Sequence, residues 1–167
     1  MPVHAVVKAD AYGHGALPVA SALEAAGANG LCVATADEAL ALRAGRIRLP
    51  ILVLYPVPTR VARELAREAV AVTAGDPRLL AELAGAELGS RPHPVHLEVE
   101  TGLGRGGFLE GELVDAAETV QRAPSLRLAG LWTHLQAPED APRTARQLKR
   151  FEAAAEALRH AGHRLPV

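Results

Sequence analysis

Three side chains carry the chemistry this sequence could perform, and each sits in an unusual local setting. Lys8 ends the apolar run Val3-His4-Ala5-Val6-Val7 and opens Lys8-Ala9-Asp10-Ala11-Tyr12-Gly13-His14-Gly15. A primary amine delivered in this way can condense with a carbonyl group and form a Schiff base. Arg105 follows Gly102-Leu103-Gly104 and precedes Gly106-Gly107, so a cation stands in backbone shaped for close approach. His134 follows Gly130-Leu131-Trp132-Thr133, at the end of another apolar run. A plainer reading exists for each. An isolated Lys at a strand end usually meets water, a loop Arg is usually solvated, and a lone His is often a satisfied buried residue. Tyr12 could likewise be a loop ring packed on a rim. The clustering of Lys8, Tyr12 and two glycines in one tight segment argues against the plain reading there.

The elements that must position these residues alternate regularly. Short apolar runs occur at Val3-His4-Ala5-Val6-Val7, Gly30-Leu31-Cys32-Val33-Ala34, Ile51-Leu52-Val53-Leu54, Ala69-Val70-Ala71-Val72-Thr73, Val95-His96-Leu97-Glu98-Val99 and Leu128-Ala129-Gly130-Leu131-Trp132. Near-continuous apolar runs of this length read as buried parallel strands. Helical segments are predicted between them: Ala16 to Ala26, one opened by the capping box Thr35-Ala36-Asp37-Glu38 and running to Ala44, Pro58 to Glu68, one opened by Asp76-Pro77, Leu109 to Ala123, and Pro142 to Ala161. Strand followed by helix, repeated about six times, predicts an α/β fold: a parallel (β/α)8 TIM-like barrel truncated to about six βα units. The last four residues, Arg164-Leu165-Pro166-Val167, read as the threshold of a seventh strand. On this reading the chain is incomplete, because a partial barrel leaves strand edges unpaired. Lys8, Glu98, Arg105 and His134 all stand at or beyond C-terminal strand ends, where such barrels place their active sites.

The segment Lys8-Ala9-Asp10-Ala11-Tyr12-Gly13-His14-Gly15 resembles the pyridoxal-phosphate attachment motif of the alanine racemases. The similarity continues, in the family's order, through Val33-Ala34-Thr35-Ala36-Asp37-Glu38-Ala39, Pro50-Ile51-Leu52-Val53-Leu54, Glu100-Thr101-Gly102-Leu103-Gly104-Arg105-Gly106-Gly107-Phe108 and Gly130-Leu131-Trp132-Thr133-His134. The resemblance implies that residues 1–167 form part of the N-terminal barrel domain that binds pyridoxal 5'-phosphate, without the family's C-terminal β domain. It implies Lys8 as the cofactor-bearing and catalytic residue, Tyr12 as a donor to the cofactor phosphate, and Arg105 as a donor to its ring. It also implies that His134 packs against the ring and that Leu54 lines the pocket, although a strand-end Leu is as easily plain core.

The implied activity is interconversion of L- and D-alanine through a Schiff base and removal of the Cα proton, with pyridoxal phosphate as the electron sink. Its setting would be D-alanine supply for peptidoglycan. The family's second acid/base is a Tyr from the partner subunit's C-terminal domain, which neither Tyr12 nor Tyr55 matches, so a homodimer is implied at full length. The isolated chain is therefore expected to be a poor racemase. The alternative is a non-catalytic barrel segment that binds the cofactor, or a pyridoxal-phosphate homeostasis protein; the Lys8–Gly15 pattern argues against the latter. Two departures stand out. Many family members carry a carbamate-modified Lys where this chain has Glu98, which keeps the negative charge on a shorter arm. Glu98 then either acts on Arg105 through a water or serves as a strand-end acid. Leu135-Gln136-Ala137-Pro138 also departs from the family's usual turn after the His.

Composition narrows the rest. The 167 residues are 49% hydrophobic, 22% charged and only 3% aromatic, so Ala, Leu and Val must build the core of a soluble globular protein. A net charge of -1 without a basic stripe argues against nucleic acid, and no apolar run reaches membrane-spanning length. The single Cys32 excludes an internal disulfide and, with no signal peptide in view, suits the cytoplasm. The seven His show no metal-ligand spacing, so no metal is expected. His14 is assigned to loop structure, and Arg143, Arg146, Lys149 and Arg150 to the solvated face of a helix.

Overall fold

The computed structural model describes residues 2–164. The chain divides into two compact units, one built from residues up to 73 with 87–93, the other from 74–86 with residues from 94 onward. The first contains strands β1 (His4–Val6), β2 (Gly30–Val33), β3 (Ile51–Val53) and β4 (Val70–Ala74), hydrogen-bonded in chain order. All three pairings are parallel, with His4 opposite Gly30, Leu31 opposite Ile51, and Ile51 opposite Val70. Every residue of β2 and β3 is buried, which is why both read as unbroken apolar runs rather than alternating ones. β1 differs, since its pattern is exposed, intermediate, exposed.

Helices α1 (Lys8–Gly13) and α2 (Ala16–Ala25) follow β1, α3 (Ala36–Ala44) follows β2, and α4 (Thr59–Arg67) follows β3. Thr35 and Glu38 close the expected capping box at the start of α3. α4 buries Ala62 and Leu65 and turns Arg60, Arg63 and Arg67 outward. A completely buried Leu or Val of this kind stabilises the fold by about 1.5–3 kcal/mol. Arg43, at the end of α3, donates to the carbonyls of Ile47 and Leu49 at 2.8 Å and of Glu68 at 2.9 Å. It thereby ties together the segments that enter β3 and β4, at the N-terminal ends of the strands.

The second unit holds α5 (Pro77–Ala84), β5 (His93–Glu98), the 3-10 turn η1 (Glu110–Glu112), α6 (Leu113–Arg122), β6 (Leu126–Trp132) and α7 (Ala141–His160). β5 and β6 are neighbours. Asp76 caps α5 by accepting from the Leu79 amide at 2.8 Å, with Pro77 opening the helix as expected. Asp140 does the same for α7, accepting from Arg143 at 3.0 Å. Leu80, Leu83, Val95, Leu97, Phe108, Leu113 and Leu158 form the core of this unit.

The six expected strands and the helices between them are thus all present, with ends shifted by a residue or two. The Leu109–Ala123 stretch divides into η1 and α6, and α7 starts one residue before Pro142. Arg164 has no regular structure, and the rest of the expected seventh strand lies outside the described residues. One element was not expected. The segment after Lys8, read from sequence as a tight loop, is a left-handed helical turn.

Candidate active site

β1 ends against β2 through the Val7 amide, which donates to the Cys32 carbonyl at 2.9 Å, and Lys8 follows directly, half-buried. Ala9, Asp10, Ala11 and Tyr12 then all adopt φ between 52° and 54°. In this region Cβ crowds the following carbonyl, at a cost of about 1–2 kcal/mol per residue for non-glycine residues. Four consecutive residues hold the conformation only because their surroundings dictate it. Glu38 Oε1 accepts from the Ala9 amide at 2.6 Å, and Asp10 Oδ1 accepts from the Ala16 amide at 2.6 Å. The Ala11 amide donates to Val7 at 3.0 Å, the Gly15 amide donates to Asp10 at 2.9 Å, and Ala11 itself is buried. Lys8 therefore projects from a short, over-determined turn at a strand end. Tyr12 closes the same turn with its ring 61% exposed.

Glu38 was legible only as a helix cap. Its other carboxylate oxygen accepts from the Ala34 amide at 2.7 Å and the Thr35 amide at 3.1 Å. One side chain thus ties the turn after β1 to the turn after β2. Leu54 lies just past β3, half-buried, its amide donating to Val33 at 2.9 Å. That position suits a pocket wall and equally a packing residue. Cys32, inside β2, is buried and its thiol is pushed up to about 11 by loss of solvation. It is a protonated packing group rather than a nucleophile.

In the second unit Glu98 ends β5 with its side chain only 11% exposed, and Oε1 lies 3.9 Å from Arg105 Nη2. This separation makes an ion pair and is too long for a hydrogen bond. Burial pushes the Glu98 carboxyl up, the Arg105 cation works against that shift, and Glu100 reinforces it. Arg105 is half-exposed at the tip of a loop that returns to the end of β5. There the Phe108 amide donates to Glu98 at 2.8 Å and the Glu100 amide to Phe108 at 3.0 Å. Gly107 is obligatory at this closure, because a Cβ would fall 2.6 Å from the Glu100 nitrogen and φ is +106°. Sequence reading took Gly102 and Gly104 as backbone shaped for close approach. Here their amides turn inward to the carboxylate of Glu100, Gly104 at 2.7 Å and Gly102 closer still. The glycines wrap a side chain of their own loop and so set the place from which Arg105 reaches out.

His134 is half-buried two residues beyond β6. Its carbonyl accepts from Gln147 Nε2 at 3.1 Å, and the same amide group donates to Thr101 Oγ1 at 3.0 Å. Gln147 Oε1 in turn accepts from the Gln136 amide at 2.9 Å, and Thr101 and Thr133 share a hydroxyl contact of 2.7 Å. The buried Gln147 of α7 therefore holds the segments after β5 and β6 together. Sequence reading missed it. A single Gln on a helix rich in charge carries no signal until the loops it serves are seen. His14 is exposed, with its amide donating to Ala11 at 3.2 Å, in keeping with a role in the turn. Among the described residues no group of three His, Cys, Asp or Glu is placed to hold a metal. No described helix is long and apolar enough to cross a membrane.

The fold and these positions define a βα-repeat domain of the kind that carries reactive groups on the C-terminal ends of its strands. The profile of the alanine racemase N-terminal domain matches residues 1–167, and the chain belongs to that family. An alanine racemase of Sorangium cellulosum is 47% identical over 136 residues, covering 78% of this chain and 36% of that protein. One from Beutenbergia cavernae is 41% identical, covering 99% of this chain and 45% of that protein. The crystal structure of alanine racemase from E. faecalis superposes with a TM-score of 0.90 at 34% identity, covering 99% of this chain and 45% of that one. The structure from Corynebacterium glutamicum gives 0.91 at 30% identity, with 99% and 48% covered. The chain thus spans less than half the length of these relatives.

Proposed function

We propose that this chain supplies the cofactor-holding part of a pyridoxal-phosphate-dependent alanine racemase. The observation that carries the reading is Lys8, a half-buried amine at the C-terminal end of β1 on a turn whose backbone Glu38 and Asp10 hold. The donor set fits the cofactor chemically. Lys8 offers an amine for an aldehyde, and Tyr12 a phenol for a phosphate. Arg105 lies too far from Glu98 for a hydrogen bond, so its guanidinium keeps donors available for a ring atom. The family resemblance assigns Lys8, Tyr12 and the apolar Leu54 of the first unit, and Arg105 and His134 of the second, to holding the group. When bound, pyridoxal phosphate supplies an electron sink that acidifies the substrate Cα–H.

The chain's own residues then have definite tasks. Lys8 would hold the cofactor covalently through Nζ at its aldehyde carbon, and the same amine, when not so bonded, would take the Cα proton or return it on one face. The over-determined turn fixes the backbone beside Lys8, and so the point from which the side chain extends toward the proton it would transfer. Arg105 would direct positive charge at the cofactor ring, at its nitrogen or oxygen, and so disfavour ring protonation. Glu98 limits how far Arg105 can move, acting as a positioning residue. Protonation on the opposite face requires a second acid/base from outside these residues. On the same reading the whole protein is a cytoplasmic homodimer that feeds D-alanine to peptidoglycan synthesis.

The test is direct. The purified chain is mixed with pyridoxal phosphate, reduced with borohydride, digested and weighed by mass spectrometry. The cofactor mass is expected on the peptide containing Lys8 and is expected to vanish in Lys8→Ala. Retention of that mass in Lys8→Ala, or its appearance on Lys149 alone, overturns the assignment.

A further inference from the structure

Sequence periodicity assigned Arg143, Arg146 and Arg150 to the solvated face of α7. The spacing i, i+3, i+7 does place them on one helical face, but that face is not simply open to water. All three line a cavity of about 160 Å³, whose other walls are Gln136, Gln147 and the Thr101-Gly102 backbone. Two of the guanidiniums are anchored. Arg150 donates to the Thr101 carbonyl at 2.9 Å, and Arg143 donates to Gln136 Oε1 at 3.1 Å while lying 3.5 Å from Asp140. Gly102 lies beside Arg150, where a Cβ would meet Nη1 in ordinary contact at 3.5 Å, and its φ of +141° rather than lack of space calls for glycine. No carboxylate is among the lining residues. Two anchored guanidiniums and a third, exposed one therefore line a polar recess, the nearest carboxylates being Asp140, paired with Arg143, and Glu100, bound to the Gly102 amide.

We propose that this recess binds a small oxyanion of the phosphate class. Guanidinium forks match the oxygens of phosphate, and two pre-anchored arginines lose little further freedom on binding. At roughly 30 Å³ per water molecule, the recess has room for about five waters, enough to seat a phosphate group. Charge makes the same choice, because three cations favour a dianion over a monocarboxylate. The site does not depend on the pyridoxal-phosphate reading above, as none of its residues is assigned to that cofactor.

The test is a nitrogen-15 amide titration of the whole chain with potassium phosphate, ionic strength being held constant with potassium chloride. The expected result is a saturable shift confined to the Gly102 and Gln136 amides and the Gln147 side-chain amide. Arg146, an exposed residue, can be replaced with little risk to folding. Arg146→Gln is expected to weaken phosphate about tenfold or more, and Arg146→Gln with Arg150→Gln to abolish saturation. Sodium acetate, run in parallel, is expected to bind more weakly than phosphate. Acetate binding as tight as phosphate overturns the dianion preference. Shifts reproduced by chloride alone, or phosphate affinity unchanged in Arg146→Gln, overturn the site.

Discussion

Glu98 concentrates the conflict between burial and charge in this molecule. Its side chain is nearly enclosed, and the cation opposite lies 3.9 Å away, too far to satisfy it by a hydrogen bond. Loss of solvation therefore prevails, and the folded protein binds the Glu98 proton more tightly than the unfolded chain does. The consequence for stability has a definite sign. With the carboxyl raised, stability is greatest below the ordinary carboxylate value and falls as pH rises from there through the folded value. Glu98→Gln removes this dependence. Urea unfolding of wild type and variant between about pH 4 and pH 7 should show the variant gaining on the wild type as pH rises. Parallel curves would mean that the carboxylate is well solvated after all. Arg105→Ala should push Glu98 up further, since the opposing cation is gone, and so steepen the wild-type decline. An unchanged decline in Arg105→Ala would mean that Arg105 is not felt at Glu98.

At the scale of elements, the turn α1 and the helix α7 depend on side chains that belong to other segments. Glu38 caps α3 and at the same time holds the Ala9 amide, where four residues with positive φ begin. Hydrogen bonds to a charged group are worth about 1.5–3 kcal/mol each but are not additive. Glu38→Ala should therefore cost about 2–3 kcal/mol by urea unfolding, more than a cap alone at about 1 kcal/mol. Cofactor capture at Lys8 should fall in parallel, because relief of the left-handed turn lets the amine swing. A loss no larger than a cap would show that the turn holds itself. Gln147 plays the corresponding part in the second unit. Gln147→Leu keeps the bulk but leaves the Gln136 amide and the His134 carbonyl without their partner. A loss of about 1–3 kcal/mol is expected, with amide shifts centred on Thr101 and Gln136; a neutral effect would mean that water replaces the side chain there.

Across the whole molecule, what could be read in the sequence and what could not separate along physical lines. Strands β2 and β3 were legible because burial on both sides demands unbroken apolar residues. The caps at Thr35 and Asp76 were legible because they act within a few residues of the helix they bound. Lys8, Arg105 and His134 stood out by motif. What stayed hidden was long-range. Ala9, Ala11 and Tyr12 have no intrinsic leaning to the left-handed region, and the partner that fixes them is 29 residues from Ala9. Gln147 serves Thr101 from 46 residues away, and the arginines of α7 reveal a recess only when Gly102 is set against them. β1 is the element where this matters for function. It carries Lys8, yet its exposed, intermediate, exposed pattern contrasts with the complete burial of β2. Local opening follows burial and contact density, so hydrogen exchange read by mass spectrometry should run at least about tenfold faster in peptides from β1 than in those from β2 and β3. Pyridoxal phosphate, linked at Lys8, should slow exchange in the peptide spanning β1 and α1 and leave α4 unchanged. A β1 as protected as β2 without the cofactor would show that the strand bearing the amine is already rigid.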